Sequence, residues 1–114
     1  MREHTIFQKI IARELPAAIH YEDEHCIVIE DIAPQAPVHL LVIPKKHIAR
    51  LAQIAQEDSL LIAHMFSVIQ ELTQTMGVDT GFRIVINNGT SAGETVPHLH
   101  IHLLAGRPMQ WPPG

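Results

Sequence analysis

Cysteine is scarce in this sequence, and its scarcity restricts the class of protein. Of the 114 residues only Cys26 is a cysteine, so the chain forms no internal disulfide. Small secreted domains usually depend on such bridges, so we expect a reducing, cytoplasmic location. The first residues contain no long apolar stretch, and we accordingly expect no secretory signal.

Long apolar runs and an excess of basic residues are also missing. No stretch approaches the roughly 18 consecutive apolar residues that a membrane-spanning helix needs. The 8 Lys and Arg residues are outnumbered by 12 Asp and Glu residues, which gives a net charge of −4. Proteins that bind duplex nucleic acid usually carry a basic patch. We therefore expect neither a membrane nor a nucleic acid as a partner, whereas a small nucleotide needs only a few well-placed donors.

The remaining composition is that of an ordinary folded domain. A hydrophobic fraction of 46% and a charged fraction of 18% are typical of globular proteins. The length fits a single domain that covers residues 1–114. The unusual count is that of histidine, because three of the nine histidines lie within residues 98–102.

The pattern of apolar residues predicts two helices and five strands. Thr5 followed by Gln8 is typical of a capping box at the start of a short helix. In residues 57–76 apolar side chains recur at spacings of three and four, which indicates a longer helix that Gly77 ends. The predicted strands are residues 18–21, 26–30, 39–43, 82–87 and 98–104.

This order of elements predicts an α+β protein. Strands that are neighbours in sequence have short connections, which favours a mainly antiparallel sheet of about five strands. We expect the two helices to cover one face of the sheet and a ligand to bind on the other.

Histidine occupies every second position of residues 98–102. On a strand, alternate side chains share a face. We therefore expect His98, His100 and His102 to point to one side, with neighbours roughly 7 Å apart. The apolar residues between them would point into the core.

Three interpretations of this row compete. A solvated strand face does not account for three copies of a rare residue. A zinc site could use two alternate histidines, but a straight row of three fits one ion poorly, and no cysteine cluster or pair of carboxylates lies nearby. The third is nucleophilic catalysis, in which the middle imidazole attacks while its neighbours orient it and donate to the developing charge. We favour the third interpretation and expect no metal and no cofactor.

The loop that precedes the row supports this choice. Gly89 and Gly93 allow the backbone of residues 87–97 to approach a ligand closely, and free amides can point at one anion. Asn87 and Thr95 add short polar side chains. Similar loops often only connect strands, but next to three histidines this one predicts a phosphate site.

These segments together resemble the histidine-triad (HIT) superfamily. The triad followed by two apolar residues is similar to its signature, and residues 5–11, 31–39 and 42–47 are similar to its opening helix and middle. Residues 106–114, GRPMQWPPG, resemble the tail of the HINT branch, the histidine-triad nucleotide-binding proteins. The resemblance covers nearly the whole chain.

The resemblance implies a HIT-like fold, a homodimer whose two sheets join, and hydrolysis of purine nucleoside phosphoramidates of the AMP or GMP type. It implies a covalent nucleotidyl-histidine intermediate with His100 as the nucleophile. His102 would donate to a non-bridging phosphate oxygen, and His98 would help to orient His100. His39, on the neighbouring strand, would join this histidine network.

The resemblance also implies a nucleotide site. Asp31 would accept the ribose hydroxyls, although it could instead only form a turn at the strand end. Apolar side chains would form a slot for the base, although each could simply belong to the core, and the loop would hold the phosphate. The base slot would comprise Phe7, Ile10, Ile29, Ile32 and Leu41, and the phosphate site Asn87, Gly93 and Thr95. Trp111 would lie near the partner subunit's site or pack at the interface.

Some positions depart from the family pattern. Glu94 replaces a usual glutamine, and because an ionised carboxylate repels phosphate we expect its side chain to point away or to be paired. Ile29 replaces an aromatic residue, and Pro97 a tyrosine. Rival functions are hydrolysis or nucleotidyl transfer on dinucleoside polyphosphates, a non-catalytic nucleotide-binding regulatory dimer, and a zinc-binding regulator.

Overall fold

A five-stranded sheet with one helix on each face forms the fold of residues 4–114, which the computed structural model describes. The helices are Ile6–Ile11 (α1) and Ser59–Thr75 (α2). The strands are Ile19–Glu22 (β1), Cys26–Glu30 (β2), Val38–Pro44 (β3), Phe82–Val85 (β4) and Ile101–Ala105 (β5), and short 3-10 turns span Leu51–Gln53, Gln56–Asp58 and Thr90–Ala92. None of the helices in these residues has the length and apolar character that a membrane crossing requires.

The predicted capping box starts α1. The Gln8 amide donates to Thr5 Oγ1 at 3.1 Å, and the Thr5 amide donates to Gln8 Oε1 at 2.7 Å. Two free amide donors of the first turn are thereby satisfied. The helix buries Phe7 and Ile10 against the sheet.

The sheet is antiparallel throughout, with strand order β1-β2-β3-β5-β4. This confirms the predicted α+β class. Ile29 pairs with Leu41, and Leu41 pairs with His102. Residues that lie directly opposite one another in an antiparallel pair share a face. The apolar side chains of β2 and β3 therefore lead across the sheet to the last histidine of the triad.

The prediction that both helices cover one face is wrong. Helix α2 packs on the face formed by Val28, Leu40, Val42 and their neighbours, whereas α1 packs on the opposite face with Ile27, Ile29, Leu41 and Ile43. Strands β2 and β3 are buried along almost their entire length. A strand that is buried on both faces has an uninterrupted apolar run instead of an alternating one.

Two predicted strands are shorter than expected. Strand β5 begins at Ile101 and not at residue 98, because the Leu99 amide donates to the Ile48 carbonyl at 2.7 Å, outside the ladder with β3. Strand β4 ends at Val85 and not at residue 87. His98 and His100 consequently lie on the segment that leads into β5.

The side chain of Asp23 joins the β1–β2 turn to α2. Its Oδ1 accepts from the Cys26 amide at 2.8 Å, and its Oδ2 accepts from the Tyr21 hydroxyl at 2.7 Å and lies 2.6 Å from His64 Nε2. Cys26 is fully buried beneath α2. Burial, followed by the charge of Asp23, raises the pKa of its thiol to about 12.

Candidate active site

A cavity of about 310 Å³ lies between α1, the carboxyl end of β2 and the loop before the triad. This volume is at the small end of the range for small-molecule sites. All the residues of the predicted site except His39 and His98 line it. The lining comprises Ile6, Phe7, Ile10, Ile29, Glu30, Asp31, Ile32, Leu41, Asn87, Gly93, Thr95, Val96, His100 and His102.

The apolar part of the cavity is also part of the hydrophobic core. Phe7, Ile10, Ile29 and Leu41 are buried and pack together under α1, and each of them lines the cavity. These residues therefore belong to the core and also form part of the cavity wall, and their role as a slot for the base stays a prediction. Ile32 differs, because it lies at the cavity wall and the residue is 96% exposed.

The three histidines differ in their surroundings. The rings of His100 and His102 lie 5.1 Å apart and both line the cavity, so they are closer than the roughly 7 Å predicted from strand geometry. The His98 ring is fully buried behind them, 6.2 Å from Phe7 and 5.0 Å from His47. The row therefore presents two imidazoles to the cavity, with the third packed under α1.

Main-chain carbonyls determine which nitrogens of His98 and His100 carry protons. His100 Nδ1 lies 2.7 Å from the His98 carbonyl oxygen, and His98 Nε2 lies 2.8 Å from the Pro44 carbonyl oxygen. A carbonyl can only accept, so each of these nitrogens donates. His100 Nε2 is thereby left with a free lone pair when the ring is neutral.

A second chain of hydrogen bonds sets the tautomer of His102. The Gln35 amide donates to His39 Nδ1 at 2.9 Å, so a neutral His39 carries its proton on Nε2. That nitrogen donates to His102 Nδ1 at 2.9 Å. His102 therefore carries its own proton on Nε2, where it can donate to a ligand.

Burial favours the neutral forms of two triad members. The pKa of His102 is lowered to about 4 by desolvation, followed by the charges of His100 and His39, and Asp31 opposes the shift. Desolvation also lowers the pKa of His98. The Nδ1 atom of His98 is buried and has no hydrogen-bond partner among residues 4–114. A charged ring at that position would therefore have an unsatisfied donor.

Asp31 forms the turn that the sequence left open as an alternative, and it also lies at the cavity, so its role towards the ribose stays a prediction. Its Oδ1 accepts from the Ala33 amide at 2.8 Å, which forms a turn at the end of β2. Its carboxylate also lines the cavity, with Oδ2 3.4 Å from His39 Nε2 and 3.9 Å from His102 Nδ1.

Asp31, His39 and His102 are the cavity-side residues that could hold a metal ion. One donor atom from each lies within 4.8 Å of the others. The 2.9 Å between the two histidine nitrogens is a hydrogen-bond distance, shorter than the roughly 3.3 Å that separates ligands around tetrahedral zinc. Sequence reasoning placed Asp31 in the nucleotide site but not beside His39 and His102, because it follows β2 and is distant from His102 in sequence.

The loop before the triad is folded by its own backbone. The amides of Ala92 and Glu94 both donate to the Gly89 carbonyl at 3.1 Å. Gly89 and Gly93 have φ values of +88° and +95°, a region that glycine adopts without strain. A Cβ added at Gly93 would lie 3.8 Å from the Asn87 side chain, so the two residues are neighbours at the cavity wall.

Glu94 is paired, as the sequence predicted. Arg50 Nε and Nη2 donate to its two carboxylate oxygens at 3.0 Å each, and the Gly89 amide donates to Oε1 at 2.9 Å. The Arg50 guanidinium, followed by the Gly89 amide, lowers the pKa of this carboxyl to about 2.

Three lining residues were not predicted, namely Ile6, Glu30 and Val96. Ile6 lies four positions before Ile10, so the two share a side of α1, and this spacing could have identified it. Val96 and Glu30 directly adjoin Thr95 and Asp31, respectively. No sequence pattern pointed to Arg50, because its partner Glu94 is distant in sequence. None pointed to Gln35, because it acts through its main-chain amide.

Known proteins share this fold and much of the sequence. The family model described as HIT domain matches residues 12–109. An uncharacterized HIT-like protein of Synechocystis sp. is 52% identical over 114 residues, which is 100% of both chains. The crystal structure of a HIT family hydrolase from Legionella pneumophila matches with a TM-score of 0.95 and 44% identity, over 97% of this chain and 100% of that chain. A histidine triad nucleotide-binding protein from Candida albicans matches with a TM-score of 0.81 and 31% identity, over 96% of this chain and 83% of that chain.

Proposed function

The chain belongs to the HIT domain family, and we propose that it hydrolyses purine nucleoside phosphoramidates through a covalent bond between His100 and phosphorus. The similarity to a HIT family hydrolase and to a histidine triad nucleotide-binding protein supports hydrolysis of a nucleotide. The tail in residues 106–114 favours the nucleotide-binding branch of the family.

One observation supports this proposal above the others, namely the hydrogen bond from His100 Nδ1 to the His98 carbonyl. Because Nδ1 carries the proton, Nε2 has the lone pair, and Nε2 is the ring nitrogen that is free to contact a ligand. A phosphorus atom bound beside a neutral His100 ring would therefore meet this lone pair directly.

The reaction has two displacements. In the first, the Nε2 lone pair forms a bond to phosphorus while the bond from phosphorus to the amine breaks, and the departing amine nitrogen takes a proton from the surrounding water. In the second, water bonds to phosphorus, the bond from Nε2 to phosphorus breaks, and the proton of the water is released. Between the steps Nδ1 of His100 carries a proton and Nε2 carries phosphorus, so the ring is positively charged. The His98 carbonyl stabilises that charge.

The other cavity residues would bind and orient the nucleotide. His102 Nε2–H would donate to a non-bridging oxygen, and the loop at Gly93 and Thr95 would hold the phosphate. Asp31 would accept the ribose hydroxyls, and the base would lie among the apolar side chains at Phe7 and Ile32.

A trapping experiment tests this proposal. The protein is incubated with an adenosine phosphoramidate, quenched, and digested, and the peptides are examined by mass spectrometry. We expect an adenylyl group on the peptide that contains His100, and we expect His100→Ala to lose this adduct and about 10³-fold or more in turnover. His25→Ala, which changes an exposed histidine that does not line the cavity, should behave as the wild type. Unchanged turnover in folded His100→Ala would contradict the proposal, and faster turnover of a diadenosine polyphosphate would assign the other substrate class.

A further inference from the structure

A carboxylate that the proposed reaction does not use holds the loop of residues 87–97. Glu94 lies between Gly93 and Thr95, which both line the cavity, whereas Glu94 does not. Its side chain is only 7% exposed. An acidic group is therefore buried directly behind the segment that would receive an anion.

Glu94 connects two parts of the loop to the segment that follows β3. Its Oε1 accepts from the Gly89 amide at 2.9 Å, and both of its oxygens accept from Arg50 at 3.0 Å. Two parallel hydrogen bonds between a guanidinium and a carboxylate are strong and directional. A second link joins the same segments, because the Ala52 amide donates to Asn88 Oδ1 at 2.8 Å.

The charge of Glu94 makes Arg50 necessary. A buried carboxylate without a partner is unfavourable, and its field would oppose an anion bound at the adjacent cavity wall. Glu94 also lies close to His100. A positive charge on the His100 ring lowers the pKa of Glu94, although less than Arg50 and the Gly89 amide do. With Arg50 in place the pair is neutral, and residues 87–97 contain no other charged side chain.

We propose that Arg50 is a positioning residue for phosphate binding, which neutralises Glu94 and holds the loop of residues 87–97 in its anion-binding shape. The proposal rests on the proposed function, since it assumes that this loop binds the phosphoryl group. It predicts that Arg50 is needed because residue 94 is a glutamate, and that it would be dispensable beside a glutamine.

The test compares AMP with adenosine, because only AMP carries the phosphate. Affinities for both ligands are measured by calorimetry on the wild type, Arg50→Ala and the double variant Arg50→Ala/Glu94→Gln. We expect Arg50→Ala to weaken AMP binding by about tenfold or more, the order expected for one unpaired charge, while adenosine binding stays within about twofold. The double variant should return AMP affinity to within about threefold of the wild type, because a neutral amide does not repel phosphate and its oxygen can still accept from Gly89.

Lys46→Ala is the matched control. Asp58, like Glu94, is a buried carboxylate that accepts from a backbone amide, that of Ala55, and is paired with a basic residue, Lys46, at 2.5 Å. Neither residue lines the cavity. This variant should change the affinity for neither AMP nor adenosine. If thermal melting shows that Arg50→Ala is unfolded, Arg50→Gln retains more of the side chain and gives the same comparison.

The outcomes separate the two proposals. If the wild type prefers AMP and Arg50→Ala keeps that preference, the role of Arg50 is wrong and the proposed function stands. The same conclusion follows if Arg50→Ala loses the preference and the added Glu94→Gln does not restore it. If the wild type binds AMP no more tightly than adenosine, the phosphate site itself is wrong and both proposals fail.

Discussion

At the scale of single residues, main-chain groups define the chemistry of the histidines. The alternation of residues 98–102 predicted that His100 and His102 would lie together, but not that His98 would pack behind them. It could not predict that a carbonyl holds the proton on His100 Nδ1, or that the Gln35 amide holds His39 in the tautomer that donates to His102. These partners depend on how the segments meet in space. The sequence therefore predicts the identity of the candidate catalytic residues but not their protonation.

His102 should remain uncharged well into the acidic range. Burial, followed by the charges of His100 and His39, lowers its pKa from 6.5 to about 4, so its Nε2–H stays a neutral donor at physiological pH. In the unfolded chain, the proton that charges the His102 ring binds near pH 6.5, which is a higher pH than in the folded protein. His102 therefore contributes to stability above pH 6.5, and this contribution is lost as the pH falls towards 4.

Nuclear magnetic resonance of the imidazole rings measures this titration directly. A midpoint near 4 for His102 is expected, and a midpoint near 6.5 would show that the ring is solvated or that His39 does not donate to it. The same spectra should show the ring proton of His102 on Nε2, as the hydrogen bond from His39 requires.

At the scale of elements, local patterns predicted the strands and helices well, and non-local pairings escaped prediction. Both predicted helices are present, because the capping box at Thr5 and the periodicity of residues 57–76 depend only on residues that are close in sequence. The pairing of β3 with β5 spans the whole of α2 and has no local signal. The placement of the helices on opposite faces did have one, namely the uninterrupted apolar runs of β2 and β3.

Gly106, directly after β5, should tolerate no side chain. Its φ is +95°, and a Cβ there would lie 2.9 Å from Pro37 Cβ, a clash that one of the two segments must relieve by moving. Gly106→Ala should lower the free energy of unfolding by about 2–3 kcal/mol. Gly77→Ala is the matched control, because its φ is +72° but the added Cβ would meet no atom of residues 4–114 within 4 Å outside the local backbone and the two chain neighbours, so it should cost only about 1 kcal/mol.

Urea denaturation of the two variants distinguishes the backbone strain at a positive φ from the steric clash with Pro37. Equal losses of stability would mean that the contact with Pro37 adds nothing. Arg107 Nε donates to the Gln35 carbonyl at 2.9 Å, so a displaced Gly106 should also disturb Gln35, whose amide orients His39.

At the scale of the whole molecule, the two edges of the sheet differ. Strand β1 contains a bulge between Ile19 and Tyr21, and Glu22 at its end forms ion pairs with Arg13 and Lys45. Bulges and charged side chains discourage pairing at an edge. Strand β4 pairs with β5 in regular register. We therefore propose that β4 is the edge through which two copies would join their sheets.

Sedimentation in solution tests this proposal. We expect a mass of twice the 12.7 kDa of one chain, with two joined sheets. Phe82→Glu should shift the protein towards the monomer, because it places a charge at the joining edge. Ile19→Glu is the matched control, since Ile19 is exposed on β1 to a similar extent, 41% against 39% for Phe82, and it should leave the mass unchanged. A wild-type protein that sediments as a single chain at micromolar concentration would contradict the proposal.

The complete burial of Cys26 has a practical use. Its thiol is shielded by the core and held protonated, so thiol reagents should not modify it in the folded protein. A cysteine introduced in place of the exposed Ile32 would then be the one reactive thiol on the surface. A maleimide dye attached there would stand at the entrance of the cavity, where its fluorescence could follow the arrival and departure of a nucleotide in real time.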